Sequence, residues 1–397
     1  MGKSSDSYNF DDIRPVYDSE VSATIEELIA CEGLEEALRY VIPLIDWDAF
    51  KAQLRSCKTK EQFKSTISYN LVMTVVKLST HSLTISGSER ISKDACLFMS
   101  NHRDIVLDAA FLNVLLHDIK HGMTQIAIGD NLLIHPWIRP VFRLNNSFFV
   151  KRSVSVRQRL EESRILSAYI HHTIQETNES VWMAQREGRA KDANDTTQTG
   201  VLKMLNMAGD PDTLTNIMSL NIVPIAITYE YDPCDYLKAQ EFQLKRDNPD
   251  FVKSKRDDLL NMEKGILEYK GRVHFTIANP INPKLETLPH YPNKNELMAE
   301  IASVIDREIY AHYRFYPCNY IAYDLLNHTN RFNTNYNDEE IKEFETYLQK
   351  QIAKTELPNR DEMFLRSKML EMYANPLKNN LTAPSNSPDR GEFSDSL

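Results

Sequence analysis

Apolar positions recur along the chain at two periods. Val21, Ile25, Leu28 and Ile29 are spaced as one face of a helix, as are Phe63, Ile67, Leu71, Val72, Val75 and Val76, so helices are predicted over about 20–31, 34–42 and 60–79. From Leu83 the period shortens. Leu83–Gly87, Cys96–Ser100, Gln125–Ile128, Ser147–Val150, Val181–Ala184, Ile222–Ile227 and Val273–Ile277 read as strands. Helix-length segments fall between several of them, the clearest running from Val156 through Leu160, Leu166 and Ile170 to Ile174. Such alternation, with strands apolar on both sides, predicts an α/β fold: a mixed, mostly parallel sheet covered by helices, with helical N- and C-terminal regions. Pro224 lacks the N–H a ladder needs, so its strand is expected at an edge, or the proline at a start or bulge. The charged stretch Asp235–Lys270, broken at Asn248-Pro249, predicts two solvated helices inserted between the last two strands.

This pattern divides the chain into a poorly ordered polar lead-in (1–20), a helical N-terminal region (21–82), an α/β domain (83–290), a helical C-terminal region (291–375) and a disordered tail rich in Asn, Ser, Pro and Asp (376–397). With 397 residues, 42% of them apolar, the chain can bury a core without staples. Its longest apolar runs, Leu71–Val76 and Ala109–Leu116, fall short of the roughly 18 to 20 residues of a membrane span. Met1–Asp6 has no signal-peptide core, and Asp6 replaces the Ser or Thr of a myristoylation site, so a cytoplasmic location is expected. Five cysteines, an odd number without a CxxC pair, argue against a disulfide framework or zinc module. Lys+Arg 46 against Asp+Glu 56 gives a net charge of −10, which argues against nucleic acid as a partner.

Four segments carry candidate chemistry. Ser100-Asn101-His102-Arg103-Asp104-Ile105-Val106-Leu107-Asp108 places a histidine and two carboxylates where a buried strand hands over to a helix. Asp104 can cap that helix, and Asp108 lies one turn on. A carboxylate beside an imidazole fixes its tautomer and raises its basicity, as a general base for a hydroxyl requires; the same residues also suit a plain capped turn. The second segment, Asn146–Arg152, sits in a one-sided stretch where Arg139, Arg143, Lys151, Arg152, Arg157 and Arg159 occur with no acidic residue between them. Phosphate recognition explains such a stretch in an acidic protein, since Arg meets phosphate oxygens bidentately. In the third, Trp182–Lys191, Gly188 permits a tight turn and Arg189 or Lys191 can reach an anion. The fourth is the apolar strand with Pro224.

In this order and at these separations the segments resemble the glycerolipid acyltransferase family, marked by N-H-x4-D, G-x-x-F-x-x-R and E-G-T-R-S-like blocks and an apolar strand with a proline. Asn101-His102 with Asp108 matches the first, Asn146 through Phe149 to Arg152 the second, Glu187-Gly188-Arg189 the third and Val223-Pro224-Ile225 the fourth. His102 and Asp108 are separated by five residues in place of four, so either the loop before the helix absorbs the extra residue or Asp104 takes the partner role. Asn146 stands where the family has glycine, and Arg189 follows Gly188 directly, leaving Arg189 or Lys191 as the functional cation.

The resemblance implies transfer of a fatty acyl group from acyl-CoA or acyl carrier protein to a hydroxyl of glycerol 3-phosphate or lysophosphatidate, in phospholipid synthesis. His102, oriented by Asp108, would be the general base; Lys151 and Arg152 would hold the acceptor phosphate, and Phe149, Glu187, Gly188 and Arg189 would complete the binding site. It implies no metal, no cofactor beyond the acyl donor, and peripheral docking on the inner face of the membrane through the Arg139–Arg159 stretch or an N-terminal helix. Rival readings are an O-acyltransferase for an amino-acid lipid or other lyso-lipid, a hydrolase with a metal on His102, Asp104 and Asp108, and a non-catalytic lipid-binding protein of the same fold.

Overall fold

The computed structural model describes residues 8–152 and 155–383. All seven predicted strands are present: β1 (Ser82–Ser86), β2 (Leu97–Ser100), β3 (Gln125–Gly129), β4 (Ser147–Val150), β5 (Val181–Ala184), β6 (Ile222–Tyr229) and β7 (Arg272–Ile277). They form one sheet in the order β1-β7-β6-β2-β5-β3-β4, parallel throughout except for the antiparallel pair β6–β7. The α/β reading with a mixed, mostly parallel sheet therefore holds.

Before β1 lie α1 (Asp18–Ala30), α2 (Leu34–Val41), α3 (Trp47–Ser56), α4 (Lys60–Phe63), a π-helical turn over Lys64–Ser68 and α5 (Tyr69–Ser79). Within the sheet region come α6 (Leu107–Asp118), α7 (Ile138–Leu144), α8 (Val156–Gln175), α9 (Thr199–Leu205), α10 (Thr213–Met218), α11 (Asp235–Asp247) and α12 (Lys255–Leu267). After β7 follow α13 (Asn282–Leu285), α14 (Lys294–Ala311), α15 (Pro317–Asn327), α16 (Asp338–Ala353) and α17 (Glu362–Thr382). Among the described residues no helix is long and apolar enough to cross a membrane.

Strand pleating explains the two cores. Leu97, Met99, Val181, Met183 and Ile222 face one side and pack on α8, α9 and α14, while Phe98, Trp182, Val223, Ile225 and Phe275 face the other and pack on α5 and α6. Each fully buried large side chain, such as Phe98 or Phe111, contributes about 1.5–3 kcal/mol. A third cluster joins α15, α16 and α17 to Ala239 of α11, and a fourth joins the N-terminal helices to Leu144.

Four expectations are corrected. Pro224 lies in β6, an interior strand opposite Met99 of β2, so neither an edge nor a strand start accommodates it. Its carbonyl accepts from Ala278 N, just past the end of β7, so its missing N–H points to where that ladder stops. The inserted helices exist, but α11 is not solvated: Asp235, Tyr236, Lys238, Ala239, Glu241 and Gln243 are buried. Of the lead-in expected to be poorly ordered, residues 1–7 lie outside the described residues, yet Ile13 and Val16 are core residues and Phe10 packs edge-on against Tyr169. Of the tail, residues 384–397 lie outside the described residues, but α17 continues through Pro376 to Thr382.

Candidate active site

The first candidate segment is held at the end of β2. Asn101 extends the sheet with its side chain: Nδ2 donates to Ile227 O (2.9 Å) and Oδ1 accepts from Ile227 N (2.8 Å). The chain then leaves the sheet, and Asp108, fully buried in the first turn of α6, gathers the loop. Its Oδ2 accepts from His102 Nδ1 (2.8 Å), Arg103 N (2.6 Å) and Asp104 N (3.0 Å). Asp104 Oδ1 accepts from Val106 N (2.9 Å) and Leu107 N (2.7 Å), capping the helix. The extra residue between His102 and Asp108 is thus absorbed in the loop, with Asp108 beside the imidazole and Asp104 at the cap.

With Asp108 accepting from Nδ1–H, the acceptor nitrogen of His102 is Nε2. The Trp182 ring meets the imidazole edge to face at 5.8 Å, and its own Nε1 donates to Ser100 Oγ (3.1 Å), so the ring is braced on both sides. His102 remains 14% exposed, and the surface it shows opens into a cavity of about 980 Å³. Its lining includes the apolar side chains of Val72, Val106, Ala109, Ala110, Val114, Ile126 and Phe142. It also carries the cations Arg152, Arg159, Arg186, Arg189, Lys191 and Lys253. Lys64 and Ser68 of the π-turn also line it, at the point where the predicted uninterrupted helix over 60–79 is broken.

The predicted binding residues separate. Arg152 lies on the cavity, with its amide on Asp130 Oδ1 (3.0 Å) and its guanidinium a loose 3.6 Å from exposed Glu187. Lys151 also borders it, but its ammonium is already held by Glu162 (3.2 Å) and Asp12 (3.4 Å). Phe149 does not line the cavity: it is buried under the Arg139 guanidinium, and its amide donates to Ile13 O (3.0 Å). Asn146 adopts φ +60°, the left-handed conformation a glycine would take, which asparagine tolerates. Gly188, at φ +68°, makes the tight turn of the third segment. Beyond it Arg189 donates to Asn261 Oδ1 of α12 (3.0 Å), while Lys191 is paired with Glu241 of α11, so Arg189 is the less neutralised of the two.

Part of the one-sided basic stretch has internal work. Arg139 donates to Asp12 O (3.2 Å) and Arg143 to Arg14 O (3.3 Å), pinning the N-terminal segment against the domain. Trp182 and Arg186, both inside the third segment, border the cavity although only their neighbours were singled out from sequence. An aromatic and a cation flanking a strand end would have been the signal. Among the described residues no group of three His, Cys, Asp or Glu side chains is placed to hold a metal ion, and Asp104 and Asp108 both point at backbone amides.

Residues 82–228 match the family model described as Acyltransferase, a span that holds the dyad, Arg152 and the Glu187–Arg189 turn and stops before α11. Among solved structures the chain is similar to the crystal structure of the 1-acyl-sn-glycerophosphate (LPA) acyltransferase PlsC from Thermotoga maritima. Identity is 12%, covering 74% of this chain and 93% of that one at a TM-score of 0.35, a likeness too distant to bear on the chemistry. No curated protein matched the chain.

Proposed function

We propose that this chain, whose residues 82–228 match the acyltransferase family model, moves a fatty acyl group from a thioester, acyl-CoA or acyl carrier protein, to the hydroxyl of glycerol 3-phosphate or lysophosphatidate. The observation that carries this reading is His102, paired with Asp108 and lining a cavity whose walls hold both apolar side chains and several cations. His102 Nε2 takes the proton of the acceptor hydroxyl as its oxygen attacks the thioester carbonyl; the C–S bond then breaks and the imidazolium returns the proton to the departing thiolate. Asp108 keeps Nδ1 protonated and stabilises the imidazolium. The apolar lining suits an acyl chain, and Arg152, whose partner Glu187 is exposed and loosely held, would receive the acceptor phosphate.

A lipid acceptor reaches this cavity from a bilayer surface, so the protein is assigned to phospholipid synthesis as a peripheral membrane enzyme. The test is to incubate the full chain with an acyl thioester and a panel of phosphorylated and unphosphorylated acceptors, following thiol release and product mass. Thiol release dependent on a phosphorylated glycerol acceptor and abolished by His102→Ala is the expected result; equal release by that variant overturns the reading. Flotation with anionic vesicles checks the membrane assignment separately.

A further inference from the structure

The loop that carries His102 is gripped by the helix α11, inserted between β6 and β7. The peptide bond between Arg103, the residue after His102, and Asp104 is held on both sides: its N–H, on Asp104, donates to Asp108 Oδ2 (3.0 Å), and its carbonyl, on Arg103, accepts from Lys238 Nζ of α11 (3.2 Å). Lys238 is 1% exposed, and its ammonium pairs with Asp232. Asp232 is fixed in turn, its Oδ1 accepting from Cys234 N (3.0 Å) and its amide donating to the Tyr373 hydroxyl of α17 (3.2 Å). The Arg103 guanidinium is anchored by Asp195 Oδ2 (2.6 Å) and Ala190 O (2.9 Å).

A buried ammonium is costly unless it is paired and hydrogen-bonded, and an apolar side chain of similar volume commonly replaces such a pair without loss of stability. Stability therefore does not account for Lys238. Geometry does: its partners are one carboxylate and the peptide that also serves Asp108. A shift of about 1 Å in such a peptide is enough to change turnover by roughly 100-fold.

We propose that Lys238 is a positioning residue: through the Arg103 carbonyl it fixes the peptide whose amide sets Asp108, and Asp108 sets the imidazole of His102. The inserted helix α11, and α17 behind it, thereby govern turnover without touching a reacting atom. This rests on the reading of His102 as the general base.

Lys238→Met alone strands the Asp232 carboxylate and is expected to lose stability, so the informative variant is the pair Asp232→Asn/Lys238→Met, which removes both charges. Steady-state kinetics of the full chain are compared with those of His102→Ala, together with the affinity of each for a non-reactive thioether analogue of the acyl donor. Wild-type turnover in His102→Ala overturns the general-base reading itself. With His102→Ala inactive, a kcat lowered about 100-fold in the paired variant, with KM values and analogue affinity within about twofold of wild type, supports the proposal. An unchanged kcat, or kcat and analogue affinity lost together, overturns it. If the paired variant does not fold, Lys238→Gln, which keeps a donor of shorter reach, is read by the same split.

Discussion

His102 Nδ1 and Asp108 Oδ2 stand 2.8 Å apart, and the same carboxylate oxygen also takes the amides of Arg103 and Asp104. One oxygen thus fixes both the tautomer of the imidazole and the path of the loop beneath it. Asp108→Asn keeps a carbonyl oxygen where Oδ2 stands, so the two amides and the Nδ1–H keep their acceptor and the loop survives, but the buried negative charge beside the imidazole is gone. Without it the imidazolium that forms as His102 takes the acceptor proton loses its counter-charge. A fall in kcat of about 10³ to 10⁴ is expected, with the melting temperature little changed; turnover within about tenfold of wild type would rule out the dyad.

Arg152 and Lys151 were read from sequence as equal partners for a phosphate, and their surroundings now distinguish them. A charge-assisted bidentate contact at Arg152 is worth about 1.5–3 kcal/mol, so Arg152→Met is expected to raise the KM of a phosphorylated acceptor about 10- to 100-fold while leaving that of the donor unchanged. Lys151 is already bound by Glu162 and Asp12, so Lys151→Met is expected to change the acceptor KM by less than about threefold. The reverse order of effects would move the phosphate to Lys151.

These contrasts show what the amino-acid order could and could not reveal. The interior strands β2, β5 and β6 announce themselves as apolar runs, while β1 and β7 show apolar alternation at Leu83 and Ile85 and at Val273, Phe275 and Ile277, so all seven were legible. That His102 lies near two carboxylates was legible because strand end, loop and helix start are contiguous in the chain, but which of Asp104 and Asp108 meets the ring was not. The partners of Lys238 were not: Arg103 lies 135 positions away, and a charged helix reads as solvated until its counterions are placed. Pro224 misled because the argument against an interior proline considers the strand alone, whereas the neighbouring ladder here stops at its N–H side. Phe149 misled because a motif position does not say which way a strand residue points.

Gly265 is another contact between the insertion and the loop. It lies inside α12, where glycine to alanine ordinarily adds about 1 kcal/mol of stability, yet a Cβ there would overlap Asp104 Oδ2. Asp104 cannot swing away without releasing the amides of Val106 and Leu107. Gly265→Ala is therefore expected to lower stability by about 1–3 kcal/mol and to reduce kcat, because the displaced cap carries the loop of His102 with it. A variant that melts higher than wild type with unchanged turnover would show that α12 does not bear on the loop.

The last prediction concerns pH. Asp235, fully buried on α11, accepts from the hydroxyls of Tyr347 and Tyr373 (2.7 Å each), from Gln351 Nε2 (2.9 Å) and from Tyr236 N (2.6 Å), but burial outweighs these donors and pushes its carboxyl up to about 7. The folded protein keeps this proton up to about pH 7, whereas the unfolded chain releases it near 3.9. Between those values the unfolded state binds fewer protons, so stability falls as pH rises through the window, by roughly 4 kcal/mol in all, and levels off above it. Asp306, pushed by burial to about 6, adds a loss of the same sign that is complete at lower pH. Asp235→Asn stays neutral at every pH and still offers an acceptor oxygen to the tyrosines. Its melting temperature relative to wild type is therefore expected to be higher at pH 8 than at pH 5, in thermal melts recorded across that range. Parallel curves for the two proteins would mean that Asp235 is ionised in the native state throughout, and that its four hydrogen-bond donors outweigh its burial.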